Sequence, residues 1–365
     1  MTESEGAEVM RRRRRRCSGT LPDDDDMLRE ILLRLPPQPS SLPLASAVCK
    51  RWLEIVTDPK FLRLFRAHHR KPPVLGVFVA SDYGMVFKSI LDPPDRIPAQ
   101  RFDLARYSGV GGYSLLDCRH GCLLYKLWAH QEVFVVDPMT GQHRRLVAPP
   151  EFVNGRVDAA VLCAAGDQGH VHGGCRLSSY KVVLLSVYRS NSQPLACVYS
   201  LGTGQWSHLI STVAPCQIYD VGIPATLVGN VLYWLFRSDP IRGSGRILGS
   251  IDRILEFDLD KQNIVVTVGP TVRNDFLHGR PWIIRAEDGA VRFAIGMSIV
   301  IVLPHGCLGR PLKCITNNVY ALQLKSMQSK KLYGTNCINQ IHPFTSFYTP
   351  ALNDGSNGAE MLHDT

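Results

Sequence analysis

The densest group of metal-type donors in the chain is His170-x-His172-x-x-Cys175. Imidazole nitrogen and thiolate sulfur are the ligand types zinc takes. The group sits in the glycine-rich stretch AAGDQGHVHGGC (164–175), which reads as a long loop between strands, and no fourth donor of matching spacing lies beside it. The expectation is therefore that no metal binds. Cys118, His120 and Cys122 alternate as if along one strand face, where a period of two makes them buried thiols and not ligands. YSGVGGYS (107–114) is rich in glycine, but it has neither P-loop nor dinucleotide spacing and no helical pattern follows it, so it reads as a turn. No GxSxG elbow occurs, and no set of His, Asp and nucleophile stands out from the background. Trp128, Tyr233, Trp234 and Phe236 read as core aromatics. The residues thus point to a chain with no catalytic group, no metal and no cofactor.

The elements that position these residues fall into two textures. From about residue 74 to 302, short β-rich runs alternate with Gly, Asn, Asp and Pro turns: VLGVFVA (74–80), GCLLYKLW (121–128), EVFVVD (132–137), YKVVLLSVY (180–188), LACVYSL (195–201), NVLYWLF (230–236), RILEFDL (253–259) and AVRFAIG (290–296). Such spacing predicts an all-β sandwich, barrel or propeller. A loose repeat favours the propeller. LLDCRHGCLLY…VFVVDPMTGQHRRL has a counterpart in LVGNVLYWLF…ILEFDLDKQNIVVT, each a Gly turn, a strand, and a strand running into an Asp turn. VYSLGTGQWSHL (198–209) echoes the second half, with Trp206 at the point where a strand re-enters the core, and RAEDGAVRFAIG echoes the first. At roughly 40 to 50 residues per blade, the span holds about five blades. Residues 303–365 break the rhythm and end in a polar stretch expected to be disordered. The β domain is accordingly expected to be incomplete or divergent at that end, with an open sheet edge.

The other texture is helical. Leu28, Ile31, Leu32 and Leu35 follow i, i+3, i+4, i+7, with Asp23 to Asp26 as cap candidates and Pro36 and Pro37 as a stop. Ala45, Val48, Cys49 and Trp52 repeat the spacing, and Asp58 with Pro59 opens a third helix carrying Phe61, Leu64 and Phe65. So small a helical unit has more apolar surface than it can bury alone. It either caps the downstream domain or docks a partner.

Composition limits the remaining classes. The 365 residues are 45% hydrophobic and 20% charged, enough for two domains or one large one. The formal charge of +9 arises largely from Arg11 to Arg16. Outside that run the chain is nearly neutral, so no specific nucleic-acid groove is expected. The arginine run reads as a solvated segment, with a nuclear-import address as the sharper alternative. No apolar run reaches membrane-spanning length and no signal-type segment opens the chain. A soluble protein of the cytoplasm, the nucleus or both is expected, with its eleven cysteines mostly reduced and buried.

Leu21-Pro22, the run Asp24 to Leu28, Glu30-Ile31-Leu32-Leu33-Arg34-Leu35-Pro36, Ala47-Val48-Cys49-Lys50-Arg51-Trp52 and Asp58-Pro59-Lys60-Phe61 together resemble the F-box motif over about residues 20 to 66. The likeness is to the F-box proteins numerous in plants, in which a propeller-like associated domain follows the motif. Four consecutive acids and a proline-rich link are its departures from the pattern. The resemblance implies an α+β multidomain chain: a basic N-terminus (1–19), a three-helix F-box (20–70), a propeller-like substrate-recognition domain (74–302) and a divergent C-terminal segment (303–365). It implies binding to a Skp-family adaptor and, through it, a cullin scaffold, by way of Leu21, Pro22, Leu28, Ile31, Leu32, Leu35, Val48, Cys49 and Trp52, and capture of a client protein by the β domain. A propeller hydrolase or carbohydrate-active enzyme with a helical cap is the rival reading. Neither WD dipeptides nor kelch double-glycine blades mark the β region.

Overall fold

The structure is a computed structural model. It describes residues 24–81, 84–102, 113–127, 131–153, 157–165, 170–172, 175, 177, 179–187, 193–212, 224–237, 252–268, 280–285, 291–296, 299–303, 318–323, 328–334 and 341–347. The arginine run, Leu21, Pro22, Trp128 and most of the YSGVGGYS stretch lie outside these residues.

Four helices, α1 (Asp25–Leu33), α2 (Ser41–Ser46), α3 (Lys50–Thr57) and α4 (Pro59–His69), precede a β region arranged as a propeller. The three-helix expectation is corrected to four. The stripe from Ala45 to Trp52 is not continuous, because Cys49 is extended (φ −164°, ψ 169°) and separates α2 from α3.

The first sheet holds β1 (Val74–Ser81), β2 (Gly84–Ser89) and β21 (Ile341–Thr345) in the order β2-β1-β21. The second is a four-stranded antiparallel meander of β3 (Tyr113–Arg119), β4 (Cys122–Leu127), β5 (Glu132–Val136) and β6 (His143–Val147). The third contains β7 (Val157–Cys163), β8 (Tyr180–Val187), β9 (Pro194–Ser200), β10 (Gln205–Trp206) and β11 (Ile210–Ser211). In the fourth, β12 (Thr226–Val228), β13 (Val231–Arg237), β14 (Asp252–Asp258) and β15 (Asn263–Val268) repeat the meander. Two smaller sheets follow: β16 (Arg280–Arg285) with β17 (Val291–Gly296), and β18 (Ile299–Leu303), β19 (Asn318–Gln323) and β20 (Gln328–Gly334), where β18 and β19 run parallel.

Alternation along each central strand explains why these sheets stack face to face. Leu123 and Tyr125 of β4 join Phe78, Phe87 and Phe344 in a core between the first and second sheets, while Leu124 points the other way, to Val161, Val182 and Leu184. On β8, Val183 and Leu185 turn from that second core to a third, where Leu232, Trp234, Phe236, Leu255 and Phe257 of the fourth sheet meet them. A strand buried on both faces needs an unbroken apolar run, which is what LLY and VVLL are.

The two halves of the sequence repeat fold alike down to their turns. The Asp137 carboxylate accepts from the N–H groups of Met139 (2.8 Å) and Thr140 (3.3 Å), and that of Asp258 accepts from Asp260 (3.0 Å) and Lys261 (2.9 Å). In both turns the residue four positions on donates its N–H to the same carbonyl at 2.9 Å: Gly141 to Asp137 and Gln262 to Asp258. Gly204 does the same to Ser200 in the third sheet, again at 2.9 Å. All three of these residues have positive φ, 77° at Gly141, 68° at Gly204 and 50° at Gln262.

The segment beyond residue 302 contributes to this closure. β21 pairs antiparallel with β1, setting His342 opposite Phe78 and Phe344 opposite Gly76, and Phe344 is fully buried in the first core. The edge of β1 is thereby covered by a strand from the far end of the chain.

Candidate functional site

The helical unit is built on its caps. The Asp24 side chain accepts from Asp26 N at 2.9 Å to start α1, and Asp58 accepts from Lys60 N at 2.9 Å to start α4, with Pro59 in its first turn. Arg51 Nε of α3 reaches back to Asp25 Oδ1 of α1 at 2.7 Å. Leu28, Leu32, Leu42, Ala45, Ile55, Val56, Phe61 and Phe65 form the core of the unit, with Leu33, Leu35, Trp52 and Leu62 at its margin.

That core is not closed by the helices alone. Phe347, just past β21, is buried in it, and Val171, from the connection between β7 and β8, packs against it. Ser40 N also donates to Asp95 Oδ1 at 2.9 Å. One side of the helical unit is therefore held by the β region.

The unit also keeps apolar groups in solvent. Ile31 is 43% exposed, Val48 52% and Leu44 62%, and Met27 and Leu64 are also exposed. Met27 and Ile31 share one face of α1 at i, i+4, and Leu44 and Val48 bear the same spacing across the end of α2. Among the nine residues the resemblance implicates, Ile31 and Val48 stand free to touch another molecule, while Leu35, Cys49 and Trp52 are half-buried. Leu28 and Leu32 are enclosed at 0% exposure, so they set the attitude of α1 from within. Met27 and Leu44 were not singled out from sequence. The signal that finds them is the i, i+4 partner of an exposed aliphatic, legible once α2 is known to end before Val48.

A second concentration of reactive side chains lies in the β7–β8 connection. His170 Nε2 is 3.2 Å from Cys163 Sγ and 3.2 Å from Cys175 Sγ, and Cys175 Sγ is 3.6 Å from His172 Nδ1. Cys163, the last residue of β7, is the fourth donor that spacing did not reveal. Its thiol is drawn down to about 5, chiefly by the Cys175 hydrogen bond, against the opposing effect of burial. The His120 ring packs on the His172 ring with centroids 4.0 Å apart.

Cys118, His120 and Cys122 do not share one strand face. His120 and Gly121 form the turn between β3 and β4, both with positive φ (57° and 82°), as a tight hairpin requires. Cys118 packs against the first core and Cys122 lies in the second. Burial pushes the Cys122 thiol up to about 12, so it is a core group as expected. Trp234 and Phe236 are fully buried core aromatics, and Tyr233 packs at the margin of a small cluster.

The junction of the second and third sheets is polar. Asp117 on β3, almost wholly buried, accepts from Cys118 N and from Val161 N of β7, each at 2.9 Å, and lies 3.6 Å from Arg119. Burial raises its pKa above the usual carboxylate value, with Arg119 and the two N–H groups opposing. Arg119 in turn donates to the carbonyl of Ala225, which precedes β12. His342 of β21 is buried and its pKa is pushed down to about 3, first by loss of solvent and then by the Arg119 charge.

The F-box domain family matches residues 21–64. An F-box protein of Arabidopsis thaliana is 42% identical over 57 residues, which are 16% of this chain and 14% of that protein. An F-box/kelch-repeat protein of the same plant is 23% identical over 212 residues, 54% of this chain and 49% of its own length. The chain thus aligns with about half the length of the longer of these matches and less of the other. Among solved structures, an α-L-arabinofuranosidase of Podospora anserina in complex with cellotriose covers 56% of this chain and 66% of its own, at 14% identity and a TM-score of 0.29, a likeness too slight to bear on function. With the F-box match falling on the capped helical unit and a propeller-like β region behind it, the chain carries an F-box domain at residues 21–64 and is similar to F-box proteins of plants.

Proposed function

We propose that this chain is a substrate-recruiting subunit of an SCF-type cullin ubiquitin ligase, docking a Skp-family adaptor through its F-box and a client protein through its β region. The observation that carries this reading is the set of exposed aliphatics Met27, Ile31, Leu44 and Val48 on a helical unit whose core is also packed against by the β region. Each large aliphatic removed from water is worth roughly 1.5–3 kcal/mol, so even part of this set can support a stable contact. Among the described residues, the reactive side chains gather in the β7–β8 connection and the buried Asp117 junction.

The chain's part in the reaction is proximity. One end holds the adaptor, and thus the cullin and its ubiquitin-charged enzyme, while the β region holds a client lysine at high effective concentration. No group of this chain is assigned a catalytic step. The compartment proposed is cytoplasm, nucleus or both; the N-terminal arginine run is read first as a solvated segment, with an import address as the alternative.

The test is capture of a purified Skp-family adaptor by the intact chain, beside Ile31→Asp and Val48→Asp variants. Capture by the unaltered chain, lost in both variants with their circular dichroism unchanged, is the expected outcome. Equal capture by all three removes this face from the interaction.

A further inference from the structure

We propose that Cys163, His170, His172 and Cys175 form a structural zinc site that ties the β7–β8 connection into a closed knot against the helical unit. The four donor atoms all lie within 4.8 Å of one another. A tetrahedral ion with bonds of about 2.0–2.3 Å to nitrogen and sulfur separates its ligand atoms by roughly 3.3–3.8 Å. Three of the pairs here, at 3.2, 3.2 and 3.6 Å, already have nearly that spacing. A set of two sulfurs and two imidazole nitrogens in tetrahedral disposition selects zinc over the hard cations. Four protein ligands leave no open position, which makes the site structural.

Charge and position agree. Both sulfurs ligate as thiolates, so Zn²⁺ and the two of them sum to zero and the half-buried site carries no uncompensated charge. Cys163 closes β7 and Cys175 is buried, so two ligands are anchored. The connection they hold runs from residue 164 to 179 without a strand or helix among its described residues, a length that calls for some internal tie.

The ligands also say what the tie accomplishes. Val171, between the two histidines, packs against the core of the helical unit, and the His172 ring lies against His120 of the β3–β4 turn. Fixing His170 and His172 on one ion fixes Val171. The metal thereby sets the attitude of the F-box helices on the propeller, and with it the distance between adaptor and client. This last step rests on the function proposed above; the metal site itself does not.

The experiment is elemental analysis of the full chain purified under reducing conditions from zinc-supplied cells, with cobalt titration of the metal-stripped protein. Stoichiometric zinc, and the visible bands of tetrahedral cobalt with thiolate charge transfer, are expected. His172→Ala, which alters the exposed ligand, should weaken zinc by at least about 100-fold, more than loss of an outer-shell partner does. His143→Ala, at an exposed histidine on β6, should leave it unchanged. Zinc at trace level with no cobalt bands in the unaltered chain, a Cys163–Cys175 disulfide in its place, or undiminished zinc affinity in His172→Ala would each overturn the site. Adaptor capture in the zinc-stripped chain separates the two readings: its persistence leaves the docking face standing whatever the metal result.

Discussion

The N–H of Val161 in β7 donates to Oδ2 of Asp117 in β3 at 2.9 Å, so one buried carboxylate joins two adjacent sheets of the propeller. Its other oxygen takes the N–H of Cys118 at 2.9 Å. Asp117→Ala strands both donors in the interior. With a cost of about 1–3 kcal/mol for each buried donor left unmade, a loss of about 2–6 kcal/mol is expected. Urea unfolding measures it, and a midpoint within error of the unaltered protein would show that the sheets are joined by their apolar faces alone.

Gln262 occupies the position that glycine fills in the two equivalent turns, at φ 50°. A side chain in left-handed backbone costs about 1–2 kcal/mol, part of which the freer unfolded chain of a glycine variant takes back. Gln262→Gly should therefore raise stability by about 0.5–1 kcal/mol. The reverse change, Gly141→Gln, should lower it, and opposite signs in the two thermal melts are the diagnostic.

His342 is buried neutral opposite Phe78 in the strand register and within the field of the Arg119 charge, with Asp117 as the other ionisable group near Arg119. Its folded pKa of about 3 lies below the ordinary imidazole value of about 6.5, so between these values the unfolded chain binds the extra proton. Its contribution to stability is complete above the unfolded value and is lost as pH falls through the window, by up to about 1.4 kcal/mol per pH unit. Unfolding free energies of the His342→Leu variant between pH 6.5 and 4 should have a correspondingly shallower slope. Identical slopes in both proteins would place the acid sensitivity elsewhere.

Leu32 and Ile31 are neighbours in sequence with opposite tasks. Leu32 is enclosed, and Leu32→Ala should cost about 2–5 kcal/mol through the cavity it leaves. Ile31 is exposed, and Ile31→Ala should change stability by less than about 0.5 kcal/mol while weakening adaptor capture. Measuring both quantities on both variants tells docking from folding, and a large loss of stability in Ile31→Ala would put that residue inside the fold.

Much of this protein is written in local patterns. The caps at Asp24 and Asp58, the aliphatic spacing of α1, the eight β runs and the two matching halves of the repeat all depend on period and turn chemistry over a few residues. Those forces act between neighbours in the chain, so the sequence alone determined a helical unit followed by a propeller-like β region. Tertiary structure decided the rest because it joins residues far apart in sequence. Leu28 and Leu32 became interior once Phe347 was buried in the core they share and Val171 packed against it. The edge of β1 found its partner in β21, and His170, His172 and Cys175 gained Cys163 only when β7 delivered it. Periodicity shows which face of an element is apolar. Only packing shows what covers that face, and which side chains are left to meet another molecule.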